Sequence, residues 1–106
     1  MTMITGIDHV VLTVRDPDAA AAFYAQTLDM KPITFGAGRR ALRFGSCKIN
    51  LQRLGDETRN HACIGSGDLC LTTDRALDEI RARLEAAGAA IVEGPVRLEA
   101  GARIGP

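Results

Sequence analysis

Few side chains in this sequence combine a reactive chemical type with a position that could use it. His9 opens a short β-branched and apolar run, His9 to Val14. An imidazole there can bind a metal, carry a proton, or donate to a backbone carbonyl from inside a core. Asn50 and Gln52 stand two apart in another strand-like run, so they share one side of that strand; a solvated strand face is the plainer alternative. Asp68 follows Gly65-Ser66-Gly67 and is either a carboxylate delivered to a site or a turn residue. His61 lies in a polar connection with Asp56 and Glu57 at a spacing that matches no metal motif, and reads as a surface residue. Arg39, Arg40 and Arg43 could meet an anionic substrate, but facing water is the expectation. Phe35 and Phe44 read as core. Cys47, Cys63 and Cys70 are odd in number and lack CxxC spacing, which fits reduced thiols rather than a disulfide framework or structural zinc. Cys47 and Cys70 fall inside strand-like runs and read as small core residues.

The elements that must position these groups are organised around Ile7 to Met30. Asp16 can accept hydrogen bonds from the free amides of a first helical turn, and Pro17 suits the first helical position, where a missing N–H costs nothing. Ala20, Phe23, Tyr24, Thr27 and Leu28 recur at helical spacing and give that helix a packing face. Strands are expected at Lys31–Phe35, where Pro32 suggests an edge or a strand start, at Arg39–Phe44, and at Cys47–Gln52. Turns at Gly36-Ala37-Gly38 and Gly45-Ser46 join them. A polar, glycine-rich connection, Leu54 to Gly67, leads to a second strand–helix pair. Its strand is Asp68–Thr73 and its helix Arg75–Ala87, with Asp74 as cap and Gly88 just past the end. A further strand is expected at Ala89–Val92, with weak continuation at Val96–Leu98. Laying His9–Thr13 over Asp68–Thr72 matches Leu12 with Leu71 and Thr13 with Thr72, so the second half echoes the first. It does so with about two strands fewer, leaving Ile80, Leu84, Ile91 and Val92 short of cover and favouring pairing with another chain.

The chain has 106 residues, 46% of them hydrophobic, and thirteen basic against thirteen acidic residues. That supports one domain, residues 1–106, with a first module at 4–54 and a second, incomplete one at 68–106. Balanced charge without basic runs argues against a nucleic-acid partner. No apolar run approaches the roughly 20 residues a membrane helix needs, and MTMITG has no basic region followed by an apolar core, so the cytoplasm is expected.

An HxxLxV strand, DPxxAxxFY opening the first helix, L[GD]M ending it, and a paired βαβββ plan together resemble the vicinal oxygen chelate superfamily. This is the glyoxalase, bleomycin-resistance and extradiol-dioxygenase group. Ile7 to Pro95 carries the likeness, and "FGAGRRALRFGSCKINLQ" and "GDLCLTT" are similar to its small glyoxalase-like members, some of them virulence proteins. The resemblance implies an α+β fold in which two modules form a cupped mixed sheet, completed by a homodimer, around a divalent metal (Zn, Ni, Mn, Fe or Mg). Carried onto this sequence, it makes His9 the first metal ligand, Gln52 or Asn50 the second, and Asp68 the ligand that opens the second module, doubling as the catalytic proton shuttle. The family's last ligand, a Glu in a PDGNxxE-like segment, has no counterpart here. A metal-dependent lyase or isomerase step on a small oxygen-rich substrate is the implied activity. The alternative is a sequestering module that binds a small molecule without catalysis.

Overall fold

The computed structural model describes residues 2–95. Two compact units divide the chain, one ending at Leu71 and the other beginning at Thr72. The first carries β1 (Val10–Val14), α1 (Pro17–Leu28), β2 (Lys31–Phe35), β3 (Arg39–Phe44) and β4 (Cys47–Arg53). These strands form one open mixed sheet in the order β1-β4-β3-β2. β1 runs parallel to β4, with Val11 opposite Asn50 and Thr13 opposite Gln52, while β4–β3 and β3–β2 are antiparallel hairpins. The architecture is the α+β module that the sequence implies, and the edge position of β2 accommodates Pro32.

Helix α1 begins where its residues dictate. The Asp16 carboxylate accepts from the amides of Asp18 and Ala19 at 3.0 and 3.4 Å, with Pro17 in the first turn. It ends at Asp29, which adopts the left-handed conformation (φ 57°) and returns its N–H to the Ala25 carbonyl. Ala21 and Thr27 are buried beneath it, and Tyr24 and Leu28 pack beside them, whereas Phe23 is half exposed and meets Tyr24 edge-on. This face rests on Leu42, Ile49 and Leu51, supported by Val10, Leu12, Val14 and Phe44. Burying a side chain such as Leu42 or Ile49 contributes about 1.5–3 kcal/mol. Strand alternation therefore commits the even residues of β1 and β3 and the odd residues of β4 to the helix. Their neighbours are presented on the opposite, open face.

The second unit contains α2 (Leu77–Ala86), two residues shorter at its start than the sequence suggests. Asp74 does not cap it. Ala76 holds the cap position without a side-chain hydrogen bond, because the hydroxyl of Thr73 turns the backbone at Arg75 and delays the helix. Asp78 and Glu79 supply negative charge to the first turn, and Gly88 follows the end at φ 78°.

Two other expectations differ from the structure. Asp68–Thr73 and Ala89–Val92 are irregular, not strands. A strand is stable only with a neighbour to take its backbone hydrogen bonds, and among the described residues neither segment pairs with a strand; Leu69 and Leu71 are over 40% exposed. Cys47 and Cys70 are exposed rather than buried. Cys47 opens β4 beside the hairpin turn and Cys70 lies in the unpaired segment. Val96–Leu98 lie outside the described residues. Among the described residues no helix is long and apolar enough to cross a membrane.

Candidate functional site

The open face of the sheet places the chemistry. His9 immediately precedes β1 and follows the same alternation as Val11 and Thr13. Asn50 and Gln52 stand on β4 directly opposite Val11 and Thr13. His9, Val11, Asn50 and Gln52 are among the residues lining a cleft of about 550 Å³, which Asp18 at the start of α1, Arg39 and Arg40 of β3, and Glu57 and Arg59 also line.

Each polar group has a defined state. The Nδ1 of His9 meets the Asp8 carboxylate at 2.8 Å, which leaves Nε2 as the outward nitrogen. That contact, with the field of His9 and a smaller one from Lys48, holds the Asp8 carboxyl below its usual range. Gln52 donates its amide nitrogen to the Thr13 hydroxyl at 2.8 Å, turning its oxygen to the other side. Asn50 is 6% exposed, and its Oδ1 is buried with no partner among the described residues. A buried acceptor in that condition carries a cost of about 1–3 kcal/mol that a ligand could relieve. At the cleft's outer wall, Arg59 closes on Glu57 at 2.6 Å, and its guanidinium pulls the Glu57 carboxyl down to about 2.

Of the residues singled out by sequence, the fold thus brings His9, Asn50 and Gln52 together. Asp68 is exposed and is not part of the cleft wall. It directly follows Gly67, where an added Cβ would approach the end of the Leu12 side chain to 2.5 Å, so the chain passes close to that side chain of β1. His61 is exposed. Arg40 departs from the water-facing expectation: its guanidinium donates to Thr34 Oγ1 at 2.8 Å and approaches Asp18 at 3.4 Å. Phe35 is not core; it lies on the open face beneath two cations, whereas Phe44 does pack against the core. Asp8 and Thr13, which orient the two site residues beside them, were not singled out. The signal for Asp8 was its adjacency to His9; Thr13 became visible only once the β1–β4 register was known.

One imidazole nitrogen and two amide oxygens fit a divalent metal as an open, neutral half-set. Among the described residues no group of three His, Cys, Asp or Glu side chains is placed to hold one.

This sheet order, helix placement and cleft are those of a glyoxalase-type module. Residues 6–105 match the model of the Glyoxalase/Bleomycin resistance protein/Dioxygenase superfamily, and the chain belongs to that superfamily. It is 40% identical over 97 residues to the glyoxalase domain-containing protein RDO1 of Mycosarcoma maydis, covering 89% of this chain and 54% of that protein. It is equally similar to the virulence protein STM3117 of Salmonella typhimurium, of which it covers 67%. The chain therefore spans between half and two thirds of these relatives. Among solved structures, a V. cholerae integron cassette protein superposes with a TM-score of 0.85 at 44% identity, covering 94% of this chain and 81% of that one. The fold alone is shared with the fosfomycin resistance protein FosX of Listeria monocytogenes, solved with Mn(II) and a dihydroxypropylphosphonic acid, at 22% identity and a TM-score of 0.62.

Proposed function

We propose that the open face of this module is a metal-assisted site for a small oxygen-rich substrate, supporting a lyase or isomerase step. The observation that carries this reading is the buried, unpartnered Oδ1 of Asn50 on the same face as His9 and Gln52. His9 and one of the two amide oxygens would hold the metal, and Asp68, which lies outside the cleft wall, would be the remaining ligand or proton shuttle. A bound divalent ion would supply Lewis-acid polarisation of paired substrate oxygens. The chain's own part is orientation: Asp8 fixes the His9 ring, Thr13 fixes the Gln52 amide, and the Asn50 oxygen receives a donor hydrogen. The Mn(II) in FosX supports a divalent ion as the cofactor class. Among the described residues no strand pairs with the outer edge of β1, which supports a homodimer as the working form; the cytoplasm is its proposed location.

A second reading is favoured by the neutrality of the three donors that share the open face, His9, Asn50 and Gln52: a sequestering module that holds its ligand without a metal. Calorimetric titration with Mn(II) separates the two. The metal reading expects saturable binding that His9→Ala abolishes and that chelator reverses. Titration without heat, or binding unchanged in His9→Ala, would reject it in favour of sequestration.

A further inference from the structure

The open face is also segregated by charge in a way that a metal site does not require. The register sets Lys31 opposite Arg43 and Arg43 opposite Lys48, so three cations form one row across β2, β3 and β4. Arg39, opposite Phe35, adds a fourth on the same side of β3. Like charges directly opposite one another destabilise a sheet. No strand position on this face holds Asp or Glu, although the whole chain has zero net charge. Among the described residues none of the four cations closes an ion pair. Lys48 and Arg39 instead converge on the Phe35 ring, at 4.0 and 4.7 Å from its centroid. The Asp8 carboxylate, within reach of Lys48's field, is committed to His9. Asn50 stands on the strand between Lys48 and Gln52 with its buried acceptor unused.

We propose that this face is an anion subsite: Arg39 and Lys48 take a carboxylate or phosphoryl group of the substrate above Phe35, and Asn50 Oδ1 accepts a hydrogen bond from a hydroxyl on the same molecule. The substrate class is a small hydroxylated acid. Arg39 and Asn50 also line the cleft of about 550 Å³, a space suited to a small molecule rather than a polymer. The proposal names the substrate class of the site described above and rests on that reading only for the location of the cup, not for the metal.

The test is a chemical-shift titration of the protein, at low salt with excess chelator, using malate and its deoxy analogue succinate as probes. Malate should bind saturably, shift resonances of Arg39, Lys48 and Asn50, and weaken as salt rises. Arg39→Gln and Lys48→Met should each raise its Kd about tenfold, since a charge-assisted hydrogen bond is worth roughly one such factor. Asn50→Leu should remove the preference for malate over succinate, while Arg75→Gln, in the second unit, should change nothing. Malate binding retained in His9→Ala would uphold the subsite even where Mn(II) binding is lost, so the two readings fail separately. Absence of saturable shifts on this face, or an Arg39→Gln/Lys48→Met double variant that binds as the unaltered protein does, would overturn the proposal.

Discussion

Asn50→Leu should make the protein more stable while removing its ligand-binding capacity. Asn50 is 6% exposed, its Oδ1 has no partner among the described residues, and it stands between the half-buried Lys48 and Gln52 on the open face of β4. An unsatisfied buried acceptor costs about 1–3 kcal/mol, and replacing it with an apolar group of the same branching removes that cost. The larger methyl groups of leucine have the adjoining cleft to expand into, so overpacking should subtract little. The expected gain is about 1–2 kcal/mol, or roughly 4–8 °C in Tm per kcal/mol for a domain of this size. Urea unfolding followed by circular dichroism, with chelator present so that no ion offsets the comparison, measures it. Asn50→Ala, which removes the acceptor without adding bulk, should be no less stable than the original chain. If both variants lose stability, the Asn50 amide is structurally satisfied and its value as a marker of a site disappears.

Other perturbations test the supporting parts. Asp16→Ala removes the acceptor for two first-turn amides and should cost about 1 kcal/mol in the same urea assay. Leu42→Ala, at a fully buried position under α1, should cost about 2–5 kcal/mol, and a loss below 1 kcal/mol would contradict the packing described. Glu57, held by Arg59, should titrate near 2 rather than 4.5 in a carboxyl-carbon NMR titration. Because its folded value is depressed, the Glu57–Arg59 contact contributes fully above pH 4.5 and is lost as pH falls toward 2; Arg59→Gln should return the midpoint toward 4.5. Asp8→Asn should weaken Mn(II) binding about tenfold by freeing the His9 ring, whereas unaltered affinity would show that Asp8 has no orienting part.

Local signals carried the first module almost completely. Asp16-Pro17 marks the start of α1 because a carboxylate cap and a proline at the first position act within one turn, and the glycine turns mark the hairpins for the same reason. The period-2 alternation that puts Leu42, Ile49 and Leu51 under the helix also put Asn50 and Gln52 on the other face. What stayed hidden depends on pairing between distant residues. Asp68–Thr73 has strand-like composition, but composition supplies no hydrogen-bonding neighbour, so the segment stays irregular. Phe35 reads as core because an aromatic residue is expected to be buried; only the β2–β3–β4 register shows it under Arg39 and Lys48. The cation row of Lys31, Arg43 and Lys48 is invisible in a sequence of zero net charge because its members are separated by intervening strands and turns. Arg40 reads as solvent-facing in the sequence because its partners, Asp18 and Thr34, come from other elements on its side of the sheet.

Paramagnetic broadening of amide resonances by substoichiometric Mn(II) tests the central claim most directly, since it locates the ion without any knowledge of the substrate. Val11, Asn50 and Gln52 should broaden first, together with His9, and His9→Ala should abolish the effect. Broadening centred instead on the Asp56–Glu57 segment or on the acidic first turn of α2, with the open face unaffected, would contradict the assignment of that face as the site.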